Sequence, residues 1–521
     1  MKPYILLTRL IVVAVAAGLS ACTTIQRNPV KVASSAYAPA NHGILAEVSE
    51  DFRSRTGSGE SGFHLLTKGE EALKWRLALI DHAVSSIDVQ YYLWDDDEIG
   101  HLVLARLLEA ARRGVRVRIL VDDFLFTGNE DHLATVCHHP NFDVRIFNPN
   151  IVRTGTLGKI AEYVIDFKER NRRMHNKLFV VDNQLAIMGG RNIGNPYFGI
   201  SEKYNFLDLD VLTTGAIVPE ISAAFDNFWN SDPAYPGKAM SLRGNPEKTD
   251  QAIDRFLANF AADPGILPQT NYPLQRRDWS SELRSLRSSW RSGQAKVVQD
   301  EPVITKGAER ERFLKSAPKL VNPDNPTELF LVTPYLIPNN GIYRTLSNYQ
   351  NAGAPVTFVV PGLDSNNQPL VHSHYKKYRR SLLAHGVSLY EIRSAPSADL
   401  RRFNETGPAR GASTSLHLKG AIADGQKCFI GSLNLDPRSI EINTENGLFI
   451  HSTKLAADLK EYFRELTLPE NAWHVTTEGA DGEGPLLWRS DDEELTRQPS
   501  RGTGSRISDF FFGILPVESL L

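Results

Sequence analysis

Arg172–Asn192 reads RRMHNKLFVVDNQLAIMGGRN, and Leu416–Asn434 reads LHLKGAIADGQKCFIGSLN. The second stretch repeats the design of the first. His175 and His417, Lys177 and Lys419, Asp182 and Asp424, Gly189 and Gly431, and Asn192 and Asn434 are each 242 residues apart. Alternate residues of an extended strand share a face, so each His and Lys point one way and the residue between them the other. Leu178 to Val181 is then a buried strand, and Asp182-Asn183 is a turn; Asp424-Gly425, at the matching place, is a stronger hairpin signal. The return strands end in Gly-Gly or Gly-Ser, where backbone can approach closely. Each hairpin thus carries Asn192 or Asn434 back beside its own His and Lys.

Each copy therefore supplies an imidazole, an ammonium and an amide donor. Two such sets on one pseudo-symmetric interface would surround a tetrahedral anion. Lys177, Lys419, Asn192 and Asn434 can hydrogen-bond the non-bridging oxygens of a phosphodiester and stabilise the charge that builds in the transition state. One imidazole can attack phosphorus while the other protonates the leaving alkoxide. The lysine pair supplies the positive charge, so no metal and no cofactor is expected. Asp182 and Asp424, at the hairpin turns, are expected to be structural.

Outward from the motifs, the element order also repeats. In the first half, strand SSIDVQYYLW, helix IGHLVLARLLEAARRG and strands VRVRILVDD and FDVRIFNP precede the hairpin. In the second, strand TELFLVTPYLIP, helix GIYRTLSNYQNAG, strand PVTFVVPG, a basic helix and strand VSLYEI do so. A strand and a helix follow each hairpin. Strands alternating with helices predict α/β architecture, a sheet covered by helices on its faces, and the order supports an internal duplication. The expected divisions are 23–60 linker, 61–235 first half, 236–325 a Pro-, Arg- and Ser-rich connector, 326–470 second half and 471–521 tail. The tail's apolar end, ISDFFFGILPVESLL, either docks on the protein or touches lipid. The basic run His372–Arg380 is a solvated face or attracts anionic head groups; RNRRMHNK, ahead of His175, steers phosphate.

The 521 residues carry a net charge of −3, an ordinary globular balance that argues against a protein tracking nucleic-acid backbone. Lys2 and Arg9 precede the apolar stretch Leu10–Leu19, which is short for a membrane span and suits a secretory signal. Leu19-Ser20-Ala21-Cys22 resembles a bacterial lipobox, so residues 1–22 read as a lipoprotein signal with Cys22 acylated. Thr23 after it favours the outer over the inner membrane, facing the periplasm. Cys137 and Cys428 remain, and no disulfide framework follows from them. Cys137-His138-His139 has no matching cluster elsewhere to make a metal site.

HNKLFVVD and HLKGAIAD match the H-x-K-x4-D signature of the phospholipase D superfamily, which the chain resembles from about Phe63 to Leu466. VQYYLW, GVRVR, NRRMHNK, GGRNIG, LDLDV, GSLNLDPRS and the ending ILPVESLL are more closely similar to its bacterial cardiolipin synthase C type. The resemblance implies two pseudo-symmetric α-β-α halves, each a mixed sheet flanked by helices, with one active site at their interface. It implies His175 as nucleophile through a phosphatidyl-histidine intermediate, and His417 as general acid, then base. It further implies that an acidic residue of each half orients the His of the other: Glu445 holds His175 and Asp208 holds His417, with Asp210 the rival on the same strand face. The implied activity is a membrane-associated phosphatidyltransferase making cardiolipin from phosphatidylglycerol with phosphatidylglycerol or phosphatidylethanolamine. Alternatives are a phospholipase D-type phosphodiesterase releasing phosphatidic acid, a nuclease, and a non-catalytic lipid-binding scaffold. The near-neutral charge and the expected anchor disfavour the nuclease, and two complete motifs disfavour the scaffold. Phospholipids and a membrane surface are thus the expected partners.

Overall fold

The computed structural model describes Ile25 and residues 29–123, 130–150, 171–241, 243–303, 325–478, 484–491, 493–515, 517–518 and 521. The signal and Cys22 lie outside the described residues. Among the described residues, no helix is long and apolar enough to cross a membrane.

The strands form where apolar runs are bounded by turn formers. Ser86–Tyr91, Arg116–Asp122 and Phe142–Phe147 pair in parallel, and Ser86–Tyr91 also pairs antiparallel with Leu178–Val181. The hairpin then runs through Leu185–Gly189 to Asp210–Gly215 and on to Ser61–Leu66, each pair antiparallel. The second half mirrors this order. Val387–Ile392, Val356–Pro361 and Leu329–Val332 are parallel, followed by antiparallel Gly420–Ala423, Lys427–Gly431, Asn446–His451 and Arg291–Gln299. The two mirrored sheets join where Ser61–Phe63 pairs with Arg291–Gly293. Eighteen described strands thus form one continuous run of pairings, a mixed α/β sheet flanked by helices.

Helices cover the sheet because their apolar residues recur on one face. Glu98–Arg112 is opened by Asp97, whose carboxylate accepts from the Gly100 N–H, and buries Ile99, Leu102, Val103 and Leu107. Gly114, with φ of 96°, lets the chain turn into the next strand. Val218–Trp229 and Thr453–Leu466 pack against one apolar core that draws on both halves, with Leu178, Met188 and Phe225 beside Leu418, Ile430 and Phe463. That shared core seats one hairpin against the other.

Three segments are more ordered than their composition suggested. Within the expected linker, Ile44–Thr56 is a helix burying Leu45, Val48 and Phe52. Within the expected connector, Arg291–Gln299 is the second half's counterpart of Ser61–Leu66 and pairs from Gln294 to Gln299 with Asn446–His451. Beyond residue 470, Ala472–Thr477 extends the second sheet against Leu389–Ile392, and Leu486–Arg489 pairs with it in turn.

Candidate active site

Each His-x-Lys lies in extended chain just ahead of its strand, Leu178–Val181 or Gly420–Ala423, rather than inside the ladder. Its backbone is held by the opposite half. The His175 N–H donates to the Thr444 carbonyl at 2.9 Å, and the Lys177 N–H to Asn446 Oδ1 at 3.0 Å. In the other direction, the His417 N–H donates to the Leu207 carbonyl at 2.8 Å, where Thr414–Leu416 pairs in parallel with Asn205–Leu207. The motif of each half is thereby threaded beside the carboxylate-bearing segment of the other.

The side chains cross in the same way. His175 Nδ1 is 2.8 Å from Glu445 Oε2, and His417 Nδ1 is 2.6 Å from Asp208 Oδ2. All four groups are buried. A carboxylate at Nδ1 selects the Nδ1–H tautomer and leaves Nε2 as the reactive nitrogen. Asp210, the rival carboxylate, is turned elsewhere: it lies 2.8 Å from Arg76 Nη2 and 3.4 Å from Arg191 Nη1, buried with both.

The lysines differ in their partners. Lys177 Nζ donates to the His175 carbonyl at 2.7 Å. Lys419 Nζ donates to the His417 carbonyl at 2.6 Å and also lies 2.9 Å from both ring nitrogens of His417. Burial, then mutual repulsion with Lys419, pushes Lys177 down to about 7. Burial likewise pushes Lys419 down to about 8, against the pull of Asp208 and Glu445. Burial first, then the lysine charges of both halves, holds His175 and His417 well below the usual imidazole value. Burial raises Glu445 to about 7 and raises Asp208 also. These crossed influences mark one shared buried centre in which two imidazoles, two lysines and two carboxylates act on one another.

Asn192 donates through Nδ2 to the Tyr197 hydroxyl at 2.8 Å, and its Oδ1 accepts from the Leu93 N–H. The Tyr197 ring stands edge-on to His417, so Asn192 is tied to the ring of the other half. Asn434 donates to Ser439 Oγ at 3.2 Å. Each amide has a second N–H to offer a ligand. Asp182 caps its hairpin from inside, accepting from the N–H groups of Val84, Ser85 and Ser86, and Asp424 accepts from Thr327. Arg173, expected to steer phosphate, is buried against Asp122 and the Asn148 carbonyl. Cys137 is buried, its thiol pushed up to about 12 by that burial, and among the described residues no cluster of three His, Cys, Asp or Glu side chains could hold a metal ion.

Several neighbours of the site carried no signal that we read in the sequence. Ser432 Oγ donates to Glu445 Oε2 at 2.5 Å. Its counterpart Gly190 has no room for a side chain: a Cβ there would stand 2.2 Å from Asp208 Oδ1. The Gly-Ser and Gly-Gly endings were the visible trace of this difference. Tyr92 packs edge-on to His175, and Arg438 adds a charge that depresses that ring.

The family model described as "Cardiolipin synthase, PLD-like domain" matches residues 77–229 and again 325–467. The chain is 32% identical to cardiolipin synthase C of Escherichia coli over 89% of its own length and 97% of that protein. It is 24% identical to a cardiolipin synthase of Clostridium perfringens over 74% of its length and 66% of that protein. In fold it is similar to a phosphatidylserine synthase of Haemophilus influenzae, with a TM-score of 0.51 at 17% identity, covering 80% of this chain and 90% of the other. One model matched by each half in turn, and a relative aligned along almost the whole chain, together mean that this chain belongs to the cardiolipin synthase, PLD-like family of the phospholipase D superfamily.

Proposed function

We infer that this enzyme transfers a phosphatidyl group from one phospholipid to the hydroxyl of another, making cardiolipin from phosphatidylglycerol with phosphatidylglycerol or phosphatidylethanolamine. The observation that carries the reading is the crossed pair, His175 with Glu445 and His417 with Asp208, around two buried lysines. A phosphodiester monoanion entering this centre offsets the lysine charges that depress both rings, so His417 takes up a proton as substrate binds. His175 Nε2 attacks phosphorus; the N–P bond forms as the P–O bond to the donor head group breaks, and that oxygen takes its proton from His417. The acceptor lipid's hydroxyl then gives its proton to His417 and attacks phosphorus, releasing His175. Lys177, Lys419, Asn192 and Asn434 bind the non-bridging oxygens. The assignment of His175 as nucleophile follows the resemblance to the phospholipase D superfamily; the two rings differ in that Lys419 Nζ lies 2.9 Å from both ring nitrogens of His417. Lys177 is directed to the His175 carbonyl instead.

The domain reading is that two phospholipase D-like halves share this one site. We place the enzyme in the bacterial envelope, acylated at Cys22 and facing the periplasm from the outer membrane, because the lipobox-like Leu19–Cys22 is followed by Thr23. The test is the purified protein in mixed phosphatidylglycerol and phosphatidylethanolamine vesicles, with products resolved by mass spectrometry. Cardiolipin is expected from the native protein, and at least about 1,000-fold less from His175→Ala or His417→Ala. Phosphatidic acid without cardiolipin would make the enzyme a hydrolase and overturn the transferase reading.

A further inference from the structure

Helix Thr503–Ile514 is docked opposite to the usual way. A surface helix ordinarily turns its apolar stripe to the core and its polar residues to water. Here the buried residue is Asp509, which lies 3.0 Å from His372 Nδ1 and 2.6 Å from Lys376 Nζ. Gly513 lies on the same side, against the Ser373 carbonyl. Ile507, Phe510, Phe511 and Ile514 follow helical i, i+3, i+4, i+7 spacing and share the opposite face. They are 53%, 63%, 63% and 64% exposed. The stretch His372–Arg380 thus turns His372, His374 and Lys376 to the C-terminal segment, with Lys377 and Arg380 left exposed. It is the cradle that grips the helix through Asp509 and, past the helix end, through Glu518 to His374, Lys377 and Tyr378.

We propose that this outward apolar face is the membrane-docking surface of the enzyme, seated in the interfacial layer of a phospholipid bilayer. Four large apolar side chains presented by a helix held rigidly through its polar face form an interfacial anchor. The helix's single acid, Asp509, is buried and paired, so no carboxylate of the helix faces outward to repel anionic head groups, and Arg506 stands exposed on the flank of the apolar face. The chain continues from this helix directly to the site. Only residues 515–520 lie between Ile514 and Leu521, whose carbonyl accepts from the Arg438 N–H, and the Arg438 charge acts on His175. Seven residues reach at most about 25 Å. A helix lying in the head-group layer therefore keeps Leu521, and with it the Arg438 backbone it contacts, within about that span of the lipids. This inference rests on the phospholipid-substrate reading, and it adds where on the molecule the lipid surface is met.

The test uses the mature chain, residues 23–521 with Cys22 and the signal left out, so that neither acylation nor the apolar Leu10–Leu19 stretch supplies a hold, floated with phosphatidylglycerol/phosphatidylethanolamine vesicles. Flotation of this parent is expected, falling about tenfold or more in Phe510→Ser/Phe511→Ser/Ile514→Ser. Phe511→Trp, which keeps the apolar face, is expected to float like the parent and to show blue-shifted added emission on vesicles. An unchanged thermal midpoint verifies that the triple variant is folded, and it should turn over dispersed short-chain phosphatidylglycerol at the parent rate. A parent that fails to float, or a triple variant that floats as well as the parent, overturns the proposal. So does a triple variant that changes only from dimer to monomer in sedimentation, which would make a second copy the occupant. Because flotation reads no chemistry, a chain that floats by this helix and forms no cardiolipin would sink the transferase reading and leave the docking surface standing.

Discussion

At the scale of single residues, Asp208 and Asp210 are two carboxylates two positions apart with opposite surroundings. The strands Asn205–Leu207 and Asp210–Gly215 are interrupted at Asp208-Leu209, and the break sends Asp208 to His417 while Asp210 meets Arg76 and Arg191. Their amide variants should therefore fail differently. Asp208→Asn is expected to keep its unfolding midpoint and lose about 10²- to 10⁴-fold in kcat, because the imidazole loses the acceptor that sets its tautomer. Asp210→Asn leaves two buried guanidinium groups poorly compensated, and should cost about 3–5 kcal/mol in urea unfolding. Equal losses of stability from both variants would argue that Asp208 is only structural. Motif spacing showed the histidines, lysines and asparagines directly. It could not separate these aspartates, since alternation puts both on one strand face and only the local break in the ladder divides them.

At the scale of elements, the two hairpins follow one pattern with unequal reinforcement. Asp182 and Asp424 both adopt left-handed backbone, with φ of 54° and 55°, a conformation that Asp tolerates better than most residues. Asp182 also binds three successive N–H groups at Val84, Ser85 and Ser86, tying the first hairpin to the start of Ser86–Tyr91. Asp424 binds Thr327 alone through backbone and hydroxyl, with Lys427 at 3.6 Å. Asp182→Ala is expected to cost about 2–3 kcal/mol and Asp424→Ala about 1 kcal/mol, measured by denaturant unfolding. The reverse order would contradict this account of the turns. Most helices and strands were legible from their periodicity, as in Glu98–Arg112 and Asn340–Asn351. Arg291–Gln299 was not, because a strand reading RSGQAKVVQ has few apolar residues and is stabilised by its pairing with Asn446–His451.

At the scale of the whole molecule, convergence of the halves brings Lys177 and Lys419 into one buried centre and sets the expected pH dependence. Both lysine pKa values are lowered, to about 7 and about 8, so their positive charge is present at lower pH and lost as pH rises through that range. Anion binding needs that charge. The ratio kcat/KM should therefore fall on the alkaline side beginning near pH 7–8, while kcat holds to higher pH because bound phosphate raises the lysine pKa values again. Lys177→Arg should move the onset of the limb upward towards the Lys419 value of about 8, since a guanidinium keeps its charge. A kcat/KM that stays flat to about pH 10 would contradict the buried-lysine account.

The sequence by itself determined the local designs: two His-x-Lys hairpins at a constant offset, their turns and the βα order around them. These follow from period, turn chemistry and residue type within short windows. It did not determine what those designs meet. The place of Arg291–Gln299 between the sheets and the outward apolar face of Thr503–Ile514 were decided by tertiary structure, and the carboxylate touching each ring, Glu445 or Asp208, was named by the family resemblance and not by the local pattern. In each case the deciding contact joins segments far apart in the chain: Glu445 to His175, Arg291–Gln299 to Asn446–His451, Asp509 to His372. Burial and ion pairing across such distances overrule what a local window of sequence suggests.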